Sequence, residues 1–256
     1  MEQEKYQFPT EEVTLPSKGL LYEEGNPLRS GKIKMKYMTA REEDILTNQN
    51  LIQNGTVIDK LLQSLIVDSI DFNTLLVGDK NALLVASRIL GYGADYVVSL
   101  NNPSTNSEET VTIDLTGAED KELDENLVKD NKNEFEFILP STKIPVTFNF
   151  LTHGDESKIQ KELKGLKKIN KNANPELTTR MKHLLLSVDG DYEAKTIREF
   201  VDQRLLARDA RALREYVREI MPDINLYFDI EFDNGHIEED VLVPIGLNFF
   251  WPDASV

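Results

Sequence analysis

The pentapeptide Thr152-His153-Gly154-Asp155-Glu156 sets an imidazole beside two carboxylates, the combination that acid–base chemistry uses when one group gives a proton and another takes it. An earlier stretch, Thr39-Ala40-Arg41-Glu42-Glu43, keeps the hydroxyl and the acids but has no histidine. What the two stretches share is a threonine with an acid three residues on, the spacing of a helix N-terminal capping box. His183 lies on a helical pattern and His236 at a hairpin turn, so the histidines do not form a recognisable metal set. Asp155, Glu156, Asp189 and Asp191 could serve a magnesium-dependent hydrolase, but their spacing follows no ligand pattern. Gly91-Tyr92-Gly93 lacks the third glycine of a nucleotide loop and closes a helical run where such a loop would open one. No serine stands in a G-x-S-x-G context. The chain has no cysteine, which removes disulfides, thiolate ligands and cysteine nucleophiles. These residues predict neither a catalytic centre nor a metal or cofactor.

The 256 residues are 40% hydrophobic, enough for one or two ordinary cores. Against 29 Lys and Arg stand 45 Asp and Glu, a formal charge of −16, which repels phosphate backbones and anionic lipid and predicts neither a nucleic-acid nor a membrane partner. The excess acid keeps a protein soluble or meets a basic partner. No apolar run approaches the roughly 18 residues of a membrane span, and Met1-Glu2-Gln3-Glu4-Lys5 does not look like a signal peptide. The expectation is a protein that stays in the cytoplasm where it is made.

The elements that would position these residues come in two similar sets. Val13-Thr14-Leu15-Pro16-Ser17 is echoed by Phe137-Ile138-Leu139-Pro140-Ser141. Ile33, Met35 and Tyr37 alternate with lysines as Val146, Phe148 and Phe150 alternate with Thr147 and Asn149, the period of a strand with one apolar face. Each strand runs into its Thr-x-x-acid cap, and Val67-Asp68 is echoed by Val188-Asp189.

Helices are predicted through Ile45, Leu46 and Ile52, from Thr56 with Asp59 as a second cap, and over Lys80 to Leu90. In the second set they are predicted over Glu156 to Ile169 and Pro175 to Val188, with the longest over Glu193 to Met221. That last helix carries Arg204, Arg208, Arg211, Arg214 and Arg218, which could contact an acidic partner or a phosphate backbone, but their interleaving with Asp202, Asp209, Glu215 and Glu219 argues for local ion pairing on a solvated face; Lys158 to Lys171 form a second basic cluster, read as a solvated face. A hairpin ends each set, Tyr96–Leu100 with Thr110–Leu115 and Leu226–Phe232 with Glu238–Val243, the latter turning at Asp233-Asn234-Gly235-His236.

The predicted fold class is α+β: two duplicated units, 1–117 and 134–256, joined by a polar connector, 118–133, and related by a pseudo-twofold axis. The two hairpins are candidates to share one sheet. A duplicated scaffold without a reaction centre suits binding or assembly better than catalysis.

Four ordered patches carry a family resemblance: Leu15-Pro16-Ser17-Lys18-Gly19-Leu20-Leu21-Tyr22, Tyr37-Met38-Thr39-Ala40-Arg41-Glu42-Glu43-Asp44-Ile45-Leu46, Arg88-Ile89-Leu90-Gly91-Tyr92-Gly93, and Phe249-Phe250-Trp251-Pro252-Asp253. In these the chain resembles the baseplate hub assembly proteins of T-even-type contractile-tailed phages, related in pattern to phage tail-assembly chaperones. Members often carry a Cys-Pro-x-Cys knuckle in the hairpins. Here Asn102-Pro103-Ser104-Thr105 stands at that place, so the resemblance implies degenerate zinc-ribbon-like hairpins without metal ligands.

The resemblance implies a non-enzymatic assembly factor in the cytoplasm of the infected bacterial host, binding phage baseplate hub or other tail proteins. A permanent hub subunit of the virion stands as the alternative, and a metal-dependent hydrolase as a remoter one. Candidate partner-binding residues are Leu20, Leu21 and Tyr22, in a loop that the second set lacks, and Phe249, Phe250 and Trp251 near the chain end. The latter either dock on the protein's own core or are presented as an aromatic anchor.

Overall fold

The computed structural model describes residues 9–169, 175–243 and 245–250. It is an α+β fold. Strand β1 (Thr10–Thr14) pairs antiparallel with β2 (Lys32–Lys36), whose Ile33 and Met35 point inward while Lys32 and Lys34 stay at the surface. The helices α1 (Ala40–Leu46), α2 (Gln49–Asn54), α3 (Val57–Leu65) and α4 (Val77–Tyr92) follow, and then the hairpin β3 (Asp95–Asn102) and β4 (Ser107–Asp114). After the short β5 (Asp120–Lys121), β6 (Phe135–Ile138) and β7 (Pro145–Phe148) open the second half. There follow α5 (His153–Ile169), α6 (Glu176–Leu184), β8 (Leu185–Val188), α7 (Ala194–Gln203) and α8 (Ala207–Ile220), and finally β9 (Asp223–Ile224) and the hairpin β10 (Tyr227–Glu231) and β11 (Ile237–Leu242).

The Leu-Pro-Ser turns do matching work in the two halves. Leu15 and Leu139 are both fully buried. The Ser17 amide and hydroxyl donate to Asp79 at 2.9 and 2.6 Å. In the second half the amides of Ser141 and Thr142 donate to Asp209 at 2.7 and 3.1 Å, and the Thr142 hydroxyl adds a third bond at 2.9 Å. Each aspartate is the third residue of a long helix, α4 or α8, where the helix dipole favours a carboxylate.

The two carboxyls titrate in opposite senses. Burial drives Asp79 upward and its hydrogen bonds offset this only in part. Burial acts on Asp209 in the same direction, but the Ser141 and Thr142 donors prevail and hold it below the usual carboxylate range. Third-strand contacts also match: Val67 donates to Lys34 beside the Met35–Ile66 bridge, and β8 pairs with β7.

One buried apolar cluster runs from Leu15 to Phe250 through both halves, and backbone exchanges lock them together. Val77 donates to the Leu151 carbonyl and His153 to the Leu75 carbonyl at 3.1 and 2.7 Å. A Cβ on Gly78 would come within 1.8 Å of the Pro222 oxygen, so only glycine lets α4 lie this close to the start of β9. Residues 118–133 are no bare linker: β5 pairs with β9, Leu123 is buried, and Glu122 meets Lys18 at 2.6 Å.

Several sequence expectations are corrected. The predicted helix from Glu193 to Met221 is two helices, α7 and α8, interrupted at Arg204–Leu206, where Leu206 is extended and caps α8. Apolar spacing carries across the break, which hides it from periodicity. The first predicted helix also divides, because the Asn48 side chain accepts from the amides of Asn50 and Leu51 and starts α2. The Thr56 side chain makes no cap bond, and Asp59 instead holds Lys80 at 2.6 Å. The helix expected to reach Val188 ends at Leu184 and continues as β8. The two hairpins form separate sheets and meet at their turns, where Asn234 Nδ2 donates to Ser104 Oγ at 2.8 Å and Asn102 Nδ2 to Asn234 Oδ1 at 3.3 Å.

Candidate interaction surface

Most of the groups that looked able to do chemistry are engaged in structural contacts, while Asp189 is exposed at a turn. Asp155 accepts from the Thr152 amide and hydroxyl at 3.1 and 2.8 Å, as Glu42 accepts from those of Thr39 at 3.0 and 2.6 Å. Both acids close helix starts. Glu156 is held by Arg180, its Oε2 accepting at 3.0 Å. Asp191 takes the Glu193 amide and the Thr196 hydroxyl, each at 2.8 Å. His153 does not face Asp155. It lies edge-on to Phe72, 4.6 Å between ring centroids, with Lys80 Nζ 3.2 Å from Nδ1 and Asp59 3.8 Å from Nε2. Burial, with Lys80 beside it, depresses its pKa. Among the described residues no three His, Asp or Glu groups come together as a metal set.

The candidate partner-binding residues are largely internal. Leu21 and Tyr22 are buried, and the Tyr22 hydroxyl donates to Asp79 at 2.6 Å and accepts from the Leu76 amide at 3.1 Å. Leu20 is half-buried. Phe249 and Phe250 are fully buried, the self-docked of the two arrangements left open for these positions. Trp251 lies outside the described residues.

The docking device is Arg88. It is buried, and its guanidinium donates to the carbonyls of Phe249, Gly93 and Asp95 at 3.0, 2.8 and 3.0 Å while lying over Tyr92 and Tyr96. Among the described residues no carboxylate pairs with it, and burial lowers its pKa. An arginine inside an otherwise apolar helical stretch was the signal for this role.

What remains open to a partner lies elsewhere. A groove of about 500 Å³ runs between α6 and α8, floored by Leu151, Met181, Leu184, Val217 and Met221, with Leu177 at its lip 48% exposed. Three arginines rim it. Arg180 is occupied by Glu156 and Glu176. Arg214 and Arg218 form no ion pair among the described residues, and Arg214 Nη1 is enclosed without an acceptor. Among the described residues the predicted pairing along the arginine stripe is limited to Arg211 with Glu215 at 2.7 Å. Sequence reading did not find the groove, because its two walls come from helices separated by β8 and α7.

No curated protein and no solved structure matches the chain. A family model described as T4 bacteriophage base plate protein matches residues 9–251. With nearly the whole length covered, the chain belongs to the family of T4 bacteriophage base plate proteins.

Proposed function

We propose that this baseplate protein is a non-enzymatic assembly factor that binds hub or other tail proteins during tail morphogenesis, in the cytoplasm of the infected bacterial host. The observation that carries the reading is the uncovered apolar groove between α6 and α8 on a chain of the baseplate family. A binder of this kind covers a partner's apolar surface until that surface is placed in the symmetric hub, which suppresses wrong association. The charge of −16 turns away nucleic acid and favours proteins as partners.

A permanent hub subunit is the second reading. It is favoured by the ties that hold the halves together, the exchange between Leu75–Val77 and Leu151–His153 above all. Co-expression with the hub and tail proteins followed by size-exclusion chromatography tests binding. Mass spectrometry of purified virions then separates the readings, since an assembly factor is absent or in traces and a subunit is stoichiometric. Failure to co-elute with any tail protein would overturn both.

The two halves read as copies of one ancestral unit about a pseudo-twofold axis. Support comes from the paired buried leucines, the paired aspartate ties and the paired Thr-x-x-acid caps. The hydrogen bonds between Asn102, Ser104 and Asn234 sit in the hairpin turns, where members of the resembled family often carry a Cys-Pro-x-Cys knuckle that this chain lacks.

A further inference from the structure

We infer that the groove between α6 and α8 is the docking site for an acidic amphipathic segment of a partner protein, which sets an apolar anchor against Leu177 and Val217 and a carboxylate against Arg214. The inference rests on the reading of the chain as a baseplate binding protein. The space, about 500 Å³, lies in the roughly 300–1,000 Å³ range of sites that hold a ligand group. Its floor is apolar and its walls come from two helices, the kind of groove in which a short amphipathic segment can lie.

Charge selects among such segments. The rim holds Arg180, Arg214 and Arg218; with Arg180 taken up by acids, the charge left at the rim is that of Arg214 and Arg218, with Glu215 near them, on a chain whose net charge is −16. Arg180 is committed internally through Glu156 and Glu176. Arg214 and Arg218 are in no ion pair among the described residues, and the enclosed Nη1 of Arg214 has no acceptor. A carboxylate from outside would pair with the part of the Arg214 guanidinium that lines the groove, beside Arg218, and a charged bond in a partly desolvated groove is stronger than at a free surface. A basic segment would meet repulsion at the same rim, which separates right partners from wrong ones.

The test uses the full chain on an array of 15-residue peptides tiling the other tail and baseplate proteins of the same phage. Bound peptides are expected to share an apolar anchor with a Glu or Asp one helical turn away, and to lose about tenfold or more in affinity when that acid becomes Lys. Arg214→Glu should reverse the preference towards the Lys-containing peptides, and Leu177→Asp, at a half-exposed lip that tolerates it, should abolish binding with circular dichroism unchanged. Bound peptides with no acidic preference, or binding unaffected by Leu177→Asp, would overturn the proposal. So would a wild-type dimer that Leu177→Asp dissociates, since the occupant would then be a second copy. If Leu177→Asp still co-elutes with a full-length tail protein as tightly as wild type, the groove assignment falls and the assembly reading stands. If wild type co-elutes with none, the assembly reading falls first and takes the groove with it.

Discussion

The tie between a Leu-Pro-Ser turn and a helix-start aspartate predicts how the two halves respond to the same substitution. Asp79 is fully buried and accepts from the Ser17 amide, the Ser17 hydroxyl and the Tyr22 hydroxyl. Asp79→Ala leaves these three donors without an acceptor, at about 1–3 kcal/mol for each that finds no substitute. Since the hydroxyls can partly reorient, we expect a total of roughly 3–6 kcal/mol. That approaches the whole stability of an ordinary domain, about 5–15 kcal/mol.

Asparagine divides the halves. At Asp79 the Oδ2 side meets two hydroxyls, which can turn and accept from a carboxamide, so Asp79→Asn should cost only about 1–2 kcal/mol. At Asp209 the Oδ2 side meets the Thr142 amide, which can only donate, so Asp209→Asn should cost about 2–4 kcal/mol. The opposite titration of the two acids agrees with this, Asp79 being displaced upward by burial and Asp209 held down by its amide donors. Urea unfolding at pH 7 gives the differences, with unchanged slope as the check on two-state behaviour. A loss under about 1 kcal/mol for Asp79→Ala, or an Asp79→Asn variant weaker than Asp209→Asn, would refute the reasoning.

Gly78→Ala would drive a methyl onto the Pro222 carbonyl, a backbone atom that cannot rotate away, and should cost about 3 kcal/mol or more, seen as a fall in Tm. Arg88→Met removes the donors to the carbonyls of Phe249, Gly93 and Asp95; a loss of roughly 3–5 kcal/mol is expected, with chymotrypsin cutting after Phe249 or Phe250 far faster than in wild type. Glu42 is buried, and although burial works to raise its pKa, bonds from Lys36, Ser64 and Thr39 bring it down from 4.5 to about 2. Its contribution, at most about 3 kcal/mol, is therefore complete above pH 4.5 and is lost as pH falls towards 2. Glu42→Gln should flatten that part of the stability–pH curve, and a curve as steep as wild type would count against the assignment.

The sequence alone determined what depends on neighbours within a few residues. Alternation placed Ile33, Met35, Val146 and Phe148 on inward faces, the Thr39 and Thr152 caps marked helix starts, and Asn234-Gly235 marked a hairpin, because strand faces, capping boxes and tight turns are set by local backbone geometry. Four ordered patches, from Leu15–Tyr22 to Phe249–Asp253, carried the family resemblance, and the match to residues 9–251 bears out its baseplate level.

Only the tertiary structure decided the rest. Asp79 and Asp209 looked like ordinary acidic residues because the turns they hold lie 62 and 68 residues away. Tyr22, Phe249 and Phe250 looked like contact residues because an aromatic side chain has the same signature whether it meets a partner or its own core, and the groups that tie Tyr22 and Phe249 down, Asp79 and Arg88, are distant in the chain. The break at Arg204–Leu206 and the α6/α8 groove followed from packing between separated elements. Burial is a sum over the whole fold, and no local window of sequence contains that sum.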